Sequence, residues 1–180
     1  DLKSTFTLTV KAPKGWKVFS NAPTPTPEEE GEAWIYRFAT TEVMSTYITA
    51  IVAGPYEGTT ATLTSSDGRT IDLGVYARAS IVEHLDADEI IEITRQGFEF
   101  FEGAYGIAYP FTKYDQIFVP EYNAGAMENA GCVTFRDAYV FRTRPTEAQM
   151  EARANTILHE LAHMWFGDLV TMKWWNDLWL

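Results

Sequence analysis

The stretch from Thr146 to Gly167 constrains this chain more than any other. Thr146 followed by Gln149 has the form of a capping box, and Gly167 offers a natural stop. Between them Met150, Ala154, Ile157, Leu158, Leu161 and Trp165 recur at helical spacing, which predicts a helix with these six residues as its buried stripe. On its other face stand His159, Glu160 and His163. At about 100° per residue the two histidines are about 40° apart around the axis and one turn apart along it, so both imidazoles can reach one tetrahedral metal ion. Glu160 lies about 100° from His159 and about 60° from His163. A carboxylate there is beside the ion without having to bind it, which suits a base that takes a proton from water. Neutral imidazole suits borderline-soft zinc, so one zinc ion is the expected cofactor, with His159 and His163 as ligands and Glu160 as the catalytic base. The bland alternative is a chance placement of two histidines around a surface glutamate. His84, alone in a polar stretch, is read as exposed.

The first third of the chain has a different period. Alternation in Thr5 to Val10 and in Ala33 to Phe38, then an apolar run from Tyr47 to Val52, predict strands. Pro13-Lys14-Gly15, Pro23 to Pro27 and Gly54-Pro55 break them, and Ser66-Asp67-Gly68 marks a hairpin turn between Ala61–Thr64 and Thr70–Tyr76. Near residue 80 the pattern turns helical. Asp86 with Glu89 gives a second capping signal, and Ile90, Thr94, Phe98 and Phe101 follow at helical spacing up to Gly106. Short strands are expected at Gln116–Val119 and Val133–Arg136. The fold class is α+β: an antiparallel β-sandwich unit over residues 1–77, then a mixed unit over 78–180.

A net charge of −11 disfavours polyanions, so neither nucleic acid nor a membrane surface is expected as a partner, and a cationic ligand fits better. Glu28-Glu29-Glu30 reads as a solvated loop. No apolar run approaches the roughly 20 residues of a membrane span, so a soluble chain is expected. The single cysteine, Cys132, excludes an internal disulfide and a multi-cysteine metal cage, and is compatible with a reducing, cytoplasmic compartment.

A second motif, Gly125-Ala126-Met127-Glu128-Asn129, stands 31 residues ahead of the histidine pair, counted from Glu128 to His159. Together with Met164 to Thr171 and Trp174 to Leu180, it makes residues 78–180 resemble the aminopeptidase N family of zinc metallopeptidases, members of the gluzincin clan. Details of the wording resemble actinobacterial members, and the N-terminal strands resemble the end of the family's β domain. The resemblance implies a thermolysin-like catalytic domain that releases N-terminal amino acids from peptides. It also implies roles for single residues: His159 and His163 as zinc ligands, Glu160 as general base, and Glu128 as the carboxylate that grips the substrate's free ammonium. Gly125 and Ala126 would run beside the substrate as an added strand, and Ala124 would face the first side-chain pocket. Read without the family, Glu128 is a loop carboxylate. Trp165, Trp174, Trp175 and Trp179 are read as core.

In the family a third zinc ligand, a glutamate, would fall at position 182, and an oxyanion-stabilising tyrosine later still. The chain is therefore expected to be part of a longer enzyme and inactive by itself, because two imidazoles hold zinc weakly. Two other readings stay open: a non-catalytic scaffold of the same fold, and another zinc hydrolase sharing the helix motif. The preferred first residue and the oligomeric state are not legible.

Overall fold

The computed structural model describes residues 1–177. Its first strands are β1 (Lys3–Ser4), β2 (Thr9–Pro13), β3 (Lys17–Ser20), β4 (Glu28–Glu30), β5 (Ala33–Arg37), β6 (Met44–Ser45) and β7 (Ile51–Gly54). They form three small antiparallel sheets, β1 with β6, β2-β5-β4, and β3 with β7. The alternation at Thr5–Val10 gives a strand only from Thr9 onward. Ahead of it Phe6 and Leu8 offer their carbonyls singly, to Thr41 and Phe38. Glu28–Glu30 is an exposed edge strand rather than a loop. Its carboxylates meet Arg37, Lys14 and Lys11, and such exposed pairs keep an edge polar more than they stabilise it.

The second part is organised by one mixed sheet. It contains β8 (Tyr56–Thr64), β9 (Thr70–Arg78), β10 (Lys113–Val119), β11 (Ala126–Met127) and β12 (Cys132–Arg136), in the order β11-β12-β10-β9-β8. β8 and β9 are the expected hairpin, β9, β10 and β12 run parallel, and β11 returns antiparallel at the edge. The boundary expected at residues 77–78 falls at the end of β9, so the hairpin is hydrogen-bonded into the sheet that carries the later strands. β10 explains why the sheet is central. Tyr114 and Phe118 face the helices, while Ile117 packs with Phe19 and Val52 from the small sheets. On that second side Lys113 is buried, and its ammonium donates to Ser20 O, Asp115 Oδ2 and Gly131 O at 2.7 to 2.8 Å. A buried lysine is tolerable only with such a complete set of acceptors.

Two helices cover the other face, α1 (Ala87–Tyr105) and α2 (Glu147–His163). Thr146 caps α2 through a full capping box with Gln149, as expected. α1 stops at Gly106, which takes the left-handed conformation. Its other end corrects the sequence reading, since Asp86 makes no side-chain cap. Instead Asp86 and Glu89 accept from the guanidinium of Arg153 at 2.7 and 3.0 Å. Arg153 is 1% exposed, and it rotates the buried stripe of α2. Arg153, Ile157, Glu160 and Leu161 are inside, whereas Met150 lies exposed. The helix also ends at His163, four residues short of Gly167. Where the helices cross, a Cβ on Gly97 would stand 2.7 Å from the side-chain ends of Leu158 and Leu161, which would have to shift to admit it.

Trp165 is core, its indole donating to Ile107 O at 2.8 Å. Trp174 and Trp175 are exposed, contrary to expectation. Trp179 lies outside the described residues. No helix among the described residues is long and apolar enough to cross a membrane.

Candidate active site

The last turn of α2 presents two imidazoles with their Nε2 atoms 3.2 Å apart and their rings at 83°. Two nitrogens each about 2.05 Å from one tetrahedral zinc ion stand about 3.3 Å apart, so the spacing of His159 and His163 is compatible with one shared ion. His163 is oriented from behind, its Nδ1 lying 3.0 Å from the carbonyl oxygen of Phe166. A carbonyl only accepts, so Nδ1 carries the hydrogen and Nε2 keeps its lone pair for a metal. Burial and the neighbouring His163 hold the His159 pKa below its ordinary value, partly offset by the charge of Glu128. Both effects favour neutral, ligating imidazole. Among the described residues, no group of three or more histidine, cysteine, aspartate or glutamate side chains is arranged to hold a metal.

Glu160 points inward rather than to the open face, with 5% exposure. Burial, and then the charge of Glu128, push its carboxyl up to about 8, and its Oε2 has no hydrogen-bond partner among the described residues. A carboxylate in this setting has proton affinity far above that of an exposed one, as a base toward water requires.

Glu128 follows edge strand β11, half-buried. Ala126 and Met127 pair with Phe135 and Thr134 of β12, and Gly125 O accepts from Arg136 N at 3.0 Å. Among the described residues β11 is the last strand on its side of the sheet, and an edge strand is the kind to which another extended chain can add. Gly125 and Ala124 are exposed beside it. Thus the sheet edge and the end of α2 bring Glu128, Glu160, His159 and His163 into one electrostatic neighbourhood, though Glu128 and Glu160 lie 32 residues apart in the chain, from 128 to 160.

Two members of that neighbourhood escaped the sequence reading. Asp168 is buried with neither carboxylate oxygen paired among the described residues, and burial, Glu128 and Glu160 raise its carboxyl well above the usual range. Its place directly after the Trp165-Phe166-Gly167 turn that holds His163 was the available signal. Tyr47 reaches the site from the N-terminal unit, and burial with the charges of Glu128 and Asp168 pushes its phenol to about 12. Nothing in its local sequence marks it. Crowding of Glu128, Glu160 and Asp168 favours the protonated form of the two buried carboxyls, and a positive charge placed beside them would favour the charged form instead.

Comparison with known proteins places the chain in a family. Residues 89–180 match the model of the peptidase family M1 domain, and residues 1–48 match that of the peptidase M1 N-terminal domain. The chain is 59% identical over 180 residues to an aminopeptidase N of Streptomyces lividans, covering 100% of this chain and 20% of that protein. It is 41% identical to the tricorn protease-interacting factor F2 of Thermoplasma acidophilum, over 99% of this chain and 22% of the relative. Against aminopeptidase N of Mus musculus it is 36% identical, over 99% of this chain and 19% of the relative. The chain thus spans about a fifth of the length of these curated relatives.

Proposed function

The chain belongs to peptidase family M1, and from that premise we propose that the full protein is a zinc-dependent aminopeptidase that removes the first residue of peptides with a free N-terminus. The observation that carries this reading is the placement of Glu128, on a sheet edge, within electrostatic reach of the His159-Glu160-His163 turn. His159 and His163 would hold one zinc ion, which when bound polarises the scissile carbonyl and makes water more acidic. Glu128 would accept hydrogen bonds from the substrate's ammonium and so fix the peptide by its end. The outer edge of β11 would align the substrate backbone, with Ala124 leaving space for the first side chain. Glu160 would take a proton from water and return it to the departing amine.

With only two imidazole ligands in place, the 180 residues by themselves are expected to bind zinc weakly and to be inactive. The site of action in this proposal is the cytoplasm, with which a single free thiol at Cys132 is compatible. The test of the function is an amino-acid arylamide against the same compound acetylated at its amine. Zinc-dependent cleavage of the first alone is expected, and equal cleavage of both would overturn the reading.

A further inference from the structure

We propose that Tyr139 is a positioning residue that fixes the amine-binding strand β11 against the metal-bearing end of α2; the inference rests on the aminopeptidase reading. Tyr139 closes the 3₁₀ turn Asp137–Tyr139 directly after β12, the strand that holds β11. Its phenol oxygen lies 3.0 Å from Thr156 Oγ1. The Thr156 hydroxyl donates to Ala152 O at 2.9 Å, so its one hydrogen is used and Tyr139 is the donor. Thr156 is one helical turn before Glu160 and three residues before His159. On its other side the same phenol oxygen stands 3.8 Å from where a Cβ on Gly125 would be.

The backbone of Tyr139 is tied to the same helix. Its carbonyl accepts from Arg153 Nη1 at 3.2 Å. Arg153 is in turn held by Asp86 and Glu89 of the α1 start, and its guanidinium lies 4.5 Å from the ring of Phe141. One residue therefore grips α2 at two positions, 153 and 156, while its tip lies beside Gly125, the residue that precedes β11. Among the described residues these are the only side-chain hydrogen bonds that join residues 120–141 to α2. A phenylalanine would fill the same apolar space against the core. What the hydroxyl adds is a fixed separation between the group that holds the substrate's amine and the groups that act on its peptide bond. That separation matters because misplacement by about 1 Å costs about a hundredfold in rate.

The experiment compares Tyr139→Phe, Thr156→Val, the double variant and Thr156→Ser in the full-length enzyme. Read-outs are kcat and KM on the arylamide, zinc content and Tm. Each hydroxyl deletion is expected to lower kcat roughly tenfold with little change in KM, zinc content or Tm. The double variant should lose no more than either single one, because both remove the same bond. Thr156→Ser, which keeps a hydroxyl, should behave as wild type. Wild-type kinetics in Tyr139→Phe, additive losses, or losses that track Tm or zinc content would each overturn the proposal. Should Tyr139→Phe fail to fold, the contrast between Thr156→Val and Thr156→Ser decides alone. A wild-type enzyme that does not distinguish free from acetylated amine refutes the aminopeptidase reading itself, and this inference falls with it; discrimination with unaffected variants refutes only the role of Tyr139.

Discussion

The Nδ1 nitrogen of His163 lies 3.0 Å from the carbonyl oxygen of Phe166, and the next residue, Gly167, is what permits it. A Cβ at Gly167 would come within 2.9 Å of that nitrogen, and its φ of +136° lies in the region that favours glycine. Gly167→Ala should therefore swing the imidazole off its carbonyl. The expected outcome in the full-length enzyme is zinc affinity weakened by about tenfold or more, measured by metal titration. Phe166→Ala keeps the carbonyl and should bind zinc nearly as wild type. Equal affinity in Gly167→Ala would remove the turn from the metal site's support.

Glu160→Gln separates metal binding from chemistry. The amide fits the same buried pocket but cannot accept the proton, so zinc content should persist while kcat falls by about two to four orders of magnitude. A near-normal kcat would assign the base elsewhere.

Glu128→Gln addresses the substrate's amine. Its removal takes away a charged acceptor from an ammonium, so the preference for free over acetylated arylamide should shrink at least about tenfold, chiefly through KM. An unchanged preference counts against the role.

The metal-free protein should show Glu160 in its pH dependence. Its folded-state pKa of about 8 stands above the ordinary 4.5, so the folded chain holds a proton that the unfolded chain releases. Stability from this group is full below about pH 4.5 and declines as pH rises toward 8. Thermal melts of metal-free wild type against Glu160→Gln across that window should converge at low pH and diverge at high pH, the variant being the less pH-sensitive. Parallel curves would contradict the burial of this carboxylate. Zinc, a cation beside Glu160, should flatten the wild-type curve by favouring the charged form.

What could be read in advance was local. The capping box at Thr146 and Gln149, the hairpin at Ser66-Asp67-Gly68 and the stop at Gly106 are fixed by residues a few positions apart, and each stands where its chemistry places it. The same holds for His159 and His163, whose meeting needs only a helix. Sequence alone thus determined the α+β character, the zinc-compatible pair and the likeness to one peptidase family.

Tertiary packing decided the rest, because burial and electrostatic partnership arise between residues distant in the chain. Hydrophobic spacing assigned Met150 to the core and set Glu160 on an open face, whereas Arg153, paired with Asp86 and Glu89, turns α2 so that Glu160 faces inward. Asp86 reads as a helix cap and acts as the counter-ion of another helix. Asp168 meets Glu128, and Tyr47 meets Glu128 and Asp168, only through folding, because these partners come from separate elements of the chain. A one-dimensional pattern records which side chains are apolar; which polar ones are buried together depends on where sheet and helices bring them into contact.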